Sequence, residues 1–233
     1  MKQYLAETFM LDFKHKKIQQ LINKRQWQKD TPYNRVKKIY NFVRDEILFG
    51  YNSDDSIPAS KVLADGYGQC NTKATLFMAL LRGVNIPCRI HGFMIDKKLQ
   101  KGAMTGIVYK SAPQNIFHSW VEVYLNDKWY ELEGIILDKQ YLYKLQKMYP
   151  NYKGPFYGYG VATKDFSNPI IDFNLNNTYI QKEGITVDLG IYYSPDILLK
   201  KHGQEISKFK KFMYKNLGRH LMNHNIKKIR KAN

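Results

Sequence analysis

Gly66-Tyr67-Gly68-Gln69-Cys70-Asn71-Thr72-Lys73 is the stretch on which the reading of the whole chain turns. Two glycines one residue apart permit backbone angles closed to other residues and stop the helical pattern that precedes them. The segment that follows, Cys70 to Arg82, reads as a helix, because Ala74, Phe77, Met78 and Leu81 fall on one face and Gly83 closes it. Cys70 therefore sits at or near a helix N-terminus. The unpaired amides of a first turn carry partial positive charge, which favours thiolate over thiol and offers donors to an oxyanion. A cysteine so placed suits nucleophilic attack on a carbonyl. On this stretch alone the opposing reading, a small buried residue, has about equal weight.

Upstream, Asp12 to Gln26 suggests a short helix with Ile18, Leu21 and Ile22 as its apolar positions. A second helix opens at Thr31-Pro32, where Thr31 can cap and Pro32 gives up only a donor that has no partner in a first turn. Val36, Ile39, Tyr40, Val43 and Ile47 then make one buried stripe. A loop from Tyr51 to Ala59 and a short helix ending at Asp65 complete the approach to Cys70. Downstream, Cys88 to Ile95 reads as a strand after Pro87, and a polar loop follows from Lys97 to Gly106.

The next informative element is a hairpin. His118 to Leu125 and Lys128 to Glu133 alternate in polarity, with Asn126-Asp127 as a two-residue turn between them. That turn sets Leu125 against Lys128, Glu122 against Glu131 and Trp120 against Glu133. His118, Trp120, Glu122, Glu131 and Glu133 then share one face, and Val121, Val123, Tyr130 and Leu132 the other. Glu133 becomes the diagonal neighbour of His118. A carboxylate there can hold one imidazole nitrogen and leave the other for a thiol.

These blocks resemble the transglutaminase-like superfamily. The cysteine block runs from Gly66 to Lys73 and continues as Leu80-Leu81-Arg82-Gly83-Val84-Asn85-Ile86-Pro87-Cys88-Arg89, and the histidine and acid strands are His118 to Tyr124 and Lys128 to Glu133. The resemblance covers about residues 35 to 133. It implies a papain-like α+β fold in which a helix carrying the nucleophile packs on an antiparallel sheet carrying the base. By it, Cys70 is the nucleophile, His118 the base and Glu133 the orienting acid. The family usually has aspartate where Glu133 stands, which moves the carboxylate outward by about one carbon–carbon bond. Its activities include glutamine–lysine crosslinking, deamidation, peptide and amide hydrolysis, and its fold also has inactive members, so the resemblance leaves the reaction open.

Composition narrows the setting. The 233 residues are 44% hydrophobic and 14% aromatic with 8 Pro and 15 Gly, which excludes a disordered or collagen-like chain. Cys70 and Cys88 are the only two cysteines, so a disulfide framework is not expected and a reducing, cytoplasmic compartment fits. No export signal is read in Met1 to Phe13, which contains Glu7 and Asp12, and no apolar run approaches the ~20 residues that cross a bilayer. The net charge is +17, but residues 200 to 233 hold 11 Lys and Arg against one acid, Glu205, so most of the excess belongs to the tail. There Ile206, Phe209, Met213, Leu217 and Leu221 make a stripe that is expected to dock on the core. The rival is contact with an anionic surface, and no specific nucleic-acid module is recognised.

Several residues carry little. Cys88 and His91 read as core and satisfied polar groups on one strand, and His220 and His224, one helical turn apart, lack a third metal ligand. Gly158-x-Gly160 is too weak for a nucleotide site, so neither metal nor cofactor is expected. Pro155 to Gly160 is a candidate wall of the cleft. The expected organisation is an N-terminal helical segment (1–30), a catalytic core (31–138) and a C-terminal extension with the basic helix packed on the core (139–233). The expected function is an acyl-transfer enzyme that forms a thioester at Cys70 and hydrolyses amide or peptide bonds of a protein or peptide substrate. Amine transfer to glutamine and a non-catalytic binding module on the same fold are the alternatives.

Overall fold

A computed structural model describes residues 1–203 and 207–231. The chain enters through α1 (Lys16–Arg25) and α2 (Pro32–Asp45), the latter capped by the Thr31 hydroxyl, which accepts from the Asn34 amide. Val36, Ile39, Tyr40, Val43 and Ile47 are all buried, as the three-four spacing predicts. β1 (Leu48–Phe49) and a loop lead to α3 (Ala59–Asp65), which ends where Gly66 turns the backbone to φ +70°. β2 (Tyr67–Gly68) then pairs in parallel with β1 and delivers the chain to α4 (Cys70–Gly83). A Cβ on Gly68 would stand 2.7 Å from Thr72 Oγ1, so this strand reaches the helix start only because it carries a glycine there.

α4 is the buried axis of the fold, with both its apolar residues and Asn71, Thr72, Lys73 and Thr75 excluded from water. A helix buried on all sides cannot be amphipathic. Apart from Arg82 in the last turn, its polar residues cluster in the first two turns, next to Cys70.

The sheet follows. β3 (Cys88–Asp96) is succeeded by α5 (Gly106–Ser111), β4 (Asn115–Leu125) and β5 (Lys128–Leu132). The sequence reading stopped at a loop before Gly106 and missed α5, whose six residues are too few for an apolar period to declare itself. α6 (Lys139–Met148), the short β6 (Phe156–Gly158) and β7 (Val161–Thr163), and β8 (Ile185–Tyr192) come next, then α7 (Pro195–His202). The strand order is β5-β4-β3-β8, antiparallel throughout. The extension after residue 138 thus supplies an edge strand of the main sheet as well as helices. Phe117, Val121 and Val123 of β4 face the α4 core, together with Tyr130 and Leu132 of β5.

The hairpin has the expected register, from Leu125 opposite Lys128 to Val121 opposite Leu132. Asn126 and Asp127 both take positive φ, 51° and 58°, as a tight primed turn requires. The ladder ends at Leu132, one residue short of the expected strand. Glu133 leaves β4, and its amide donates to the Thr178 carbonyl at 3.0 Å instead.

The tail differs more. α8 (Lys208–Met213), a π turn (Tyr214–Gly218) and α9 (Arg219–Lys231) form one helical run, and Met222, Ile226 and Ile229 are its buried apolar residues. The stripe expected to dock points elsewhere, since Phe209, Met213, Leu217 and Leu221 are exposed. Ile206 lies outside the described residues. Helical spacing marks two rows on this segment, and the π turn offsets one against the other, so periodicity does not choose which one packs. What fixes the helix instead is polar. Asn223 accepts from the Tyr51 amide at 2.7 Å and donates to the Tyr51 carbonyl at 3.0 Å, while Arg230 binds Asp138 at 2.6 Å. Among the described residues no helix is long and apolar enough to cross a membrane.

Candidate active site

Cys70 is the first residue of α4 and is half-buried. Its two neighbours fix it. The Gln69 side chain accepts from the Asn52 amide at 2.8 Å and donates to Asp55 at 2.7 Å. The Asn71 side chain donates to the other Asp55 oxygen at 3.0 Å and accepts from Ser119 of β4 at 2.9 Å. One carboxylate thus clamps the residues on both sides of the thiol to the loop after β1. Burial raises the Asp55 pKa, against the lowering effect of the two amides. Thr72 completes the helix start by accepting from the Gln69 amide at 3.1 Å and donating to Asn52 at 2.7 Å.

His118 lies on β4 and is fully buried. Its Nε2 is 2.8 Å from Glu133 Oε1, the diagonal pairing that the hairpin register predicts. Glu133 Oε2 accepts from the amides of Ile180 and Gln181 at 2.7 and 2.8 Å, so the longer side chain is held at both oxygens. The ring's other nitrogen, Nδ1, is buried with no hydrogen-bond partner of ordinary geometry among the described residues. Cys70 is the other group that acts on the ring. Burial alone would lower the His118 pKa, but the charge of Cys70, its hydrogen bonding and the Glu133 carboxylate outweigh burial and push it up to about 10. The ring is an imidazolium at neutral pH. Glu131, which shares the face, turns away to the Tyr179 hydroxyl.

Tyrosines border the thiol. Tyr51 and Tyr214 have pKa values raised chiefly by burial, with the charge of Cys70 a smaller contribution. Tyr51 donates to Gln100 at 2.7 Å, and Tyr214, from the π turn of the tail, donates to the Asn52 carbonyl at 3.1 Å. Cys70, Met104, Tyr149 and Tyr159 pack against one hydrophobic cluster that includes Phe156. A cavity of about 680 Å³ opens among Lys101, Met104, Tyr109, Tyr149, Phe156 and Tyr159; Pro155 to Tyr159 line it, but Cys70, His118 and Glu133 are not among its walls.

The remaining residues singled out in the sequence are placed differently. Cys88 is fully buried, and burial raises its thiol pKa. His91 is satisfied on both nitrogens, by Glu122 at 2.9 Å and Asp188 at 2.8 Å. His220 and His224 are exposed. Sequence reasoning missed Asp55, Asn52 and the Ile180-Gln181 amides. A signal for the first existed, since Gln69 and Asn71 flank the thiol with amides that need a partner. No signal existed for backbone amides.

A family model for the transglutaminase-like superfamily matches residues 19–134. Among solved structures, a candidate cysteine protease from Cytophaga hutchinsonii aligns at 15% identity over 83% of this chain and 47% of its own, with a TM-score of 0.47. Red sea bream transglutaminase aligns at 17% identity over 57% of this chain and 25% of its own, with a TM-score of 0.32. The chain thus spans about half the length of the first and a quarter of the second. A search of curated proteins finds no match.

Proposed function

The chain belongs to the transglutaminase-like superfamily, and from that premise we propose that it is a cysteine-dependent acyl-transfer enzyme that hydrolyses an amide or peptide bond of a protein or peptide substrate. The observation that carries this reading is the polarised ring of His118, held by Glu133 through Nε2, with Nδ1 left over for the Cys70 thiol whose charge and hydrogen bonding act on the ring. In the first step the Cys70 sulfur attacks the substrate carbonyl carbon. The free amides at the start of α4 donate to the oxyanion. The carbon–nitrogen bond then breaks as the imidazolium gives its proton to the leaving amine, which leaves a thioester and neutral His118. In the second step His118 takes a proton from water, the oxygen adds to the thioester carbonyl, and the carbon–sulfur bond breaks to return the thiolate and a carboxylic acid, which gives its proton to solvent. Glu133 keeps the ring oriented through both steps and stabilises its charged form. A cytoplasmic setting, where thiols stay reduced, suits this chemistry.

The test is release of ammonia or amine from a pool of blocked glutamine- and asparagine-containing peptides by the purified chain. The expected result is release that disappears in Cys70→Ala. Incorporation of a labelled alkylamine in place of release would move the assignment to amine transfer. Undiminished release by Cys70→Ala would overturn the nucleophile.

A further inference from the structure

The helical run from Lys208 to Lys231 has two unlike sides. Its inner side is fixed by buried Met222, Ile226 and Ile229, by the paired bonds of Asn223 to Tyr51 and by Arg230 on Asp138. Its outer side is unusual for a surface helix. Phe209 and Phe212 are 72% and 62% exposed, and Leu217 and Leu221 49% each. Phe209, Met213, Leu217 and Leu221 recur every four residues, with Phe212 beside Met213. Scattered apolar residues on a surface need no explanation, but a continuous row of bulky ones does. The same segment carries nine Lys or Arg and no Asp or Glu between Lys208 and Lys231. Lys211 is spent on Asp54 at 2.6 Å, whereas Lys208, Lys210 and Lys215 have no carboxylate partner among the described residues.

We propose that this face docks on an anionic lipid bilayer, with Phe209 and Phe212 entering the boundary between headgroups and acyl chains and the flanking lysines held at the lipid phosphates. Apolar side chains bordered by lysines on a pre-formed helix match an interface of that layering. The charge excludes the simplest rival, a second copy of the chain, because like faces with no acid would repel. A nucleic acid would satisfy the lysines but leave Met213, Leu217 and Leu221 in water, since stacking on bases suits planar rings. The proposal is independent of the chemistry assigned to Cys70.

The experiment is co-sedimentation of the full chain with vesicles of phosphatidylcholine alone and with about one third phosphatidylserine, near physiological salt. The expected result is binding to the anionic vesicles only. Phe209→Ser/Phe212→Ser should weaken it about tenfold or more, with an unchanged melting temperature because both side chains are already in water. Lys208→Glu/Lys210→Glu should also weaken it, and added salt should do so for the unsubstituted chain. Three results would overturn the proposal: no anionic binding, binding that the Phe substitutions leave intact, or concentration-dependent dimerisation that those substitutions abolish in the absence of lipid.

Discussion

His118 and Glu133 meet end to end, Nε2 to Oε1 at 2.8 Å, while the second Glu133 oxygen is occupied by two backbone amides from a segment 47 and 48 residues further along the chain. The acid therefore cannot swing away from the ring. The extra methylene of glutamate, relative to the family's usual aspartate, is accommodated because the chain has already left the ladder at Leu132. The carboxylate joins the base on β4 to the stretch that enters the far edge of the sheet.

Glu133→Gln should lower turnover by about 10² to 10⁴-fold, as loss of an orienting acid does in a triad. The amide can present only one oxygen to three donors, so the ring loses both its charge partner and its fixed orientation. Glu133→Asp should lose less, because the charge remains. Glu131→Gln, which removes a charge near Tyr179, should stay within about a few-fold of the unsubstituted chain. Turnover on a substrate found by the peptide screen, with melting as the folding control, checks all three. A larger loss at Glu131 would show that the wrong acid has been assigned.

Iodoacetamide at neutral pH should label Cys70 and spare Cys88. The first thiol is half-buried beside an imidazolium, whereas the second is sealed in the core with its ionisation opposed by burial. Mass mapping of the alkylated peptides in the folded chain gives the ratio. His118→Gln should slow the labelling of Cys70 by about an order of magnitude or more.

Lys73 gives the fold a pH dependence. Its ammonium is fully buried and donates to the carbonyls of Arg44 and Ile136 at 3.0 and 3.1 Å, and burial pulls its pKa down to about 7 from 10.5. The folded state thus binds fewer protons than the unfolded state between those two values. The corresponding stability is fully present above about 10.5 and is lost as pH falls through about 7. Chemical denaturation as a function of pH should show the unsubstituted chain gaining stability from neutral to alkaline relative to Lys73→Met. Parallel curves for the two would refute the assignment.

Asn223→Ala should destabilise the chain by about 1 to 3 kcal/mol, since it strands the amide and carbonyl of Tyr51 together. Asn223→Asp should fail to rescue, because a carboxylate accepts from the amide but has no hydrogen for the carbonyl. Thermal melts of both variants decide.

How much of this was legible in advance varies by residue. Cys70 and His118 were readable because local patterns announce them: a glycine turn before an apolar helix in one case, a two-residue turn with alternating strands in the other. The Glu133 pairing followed from the turn alone, since Asn126-Asp127 sets the register of everything above it. The clamp of Asp55 on Gln69 and Asn71 was not readable, because a loop acid has no periodicity to place it. The amides of Ile180 and Gln181 were out of reach for a stronger reason: every residue but proline has one. The tail was misread in phase. Two apolar rows share the helix, and the choice between them rests on Asn223, Arg230 and their polar partners on the core.

The bonds between Asn223 and Tyr51 close a span of 172 residues. Such a closure is late in any folding sequence, because its entropic cost must be met before its contacts reward it. The sheet, α2 and α4 can assemble without it, and the loop that carries Asn52 and Asp55 is already held by Gln69, Asn71 and Thr72, so α9 adds the last tie, at Tyr51. The tie that α9 makes at Tyr51 therefore acts on a site loop whose clamp on Gln69 and Asn71 is already in place, so loss of the tail should loosen Tyr51 before it opens the clamp.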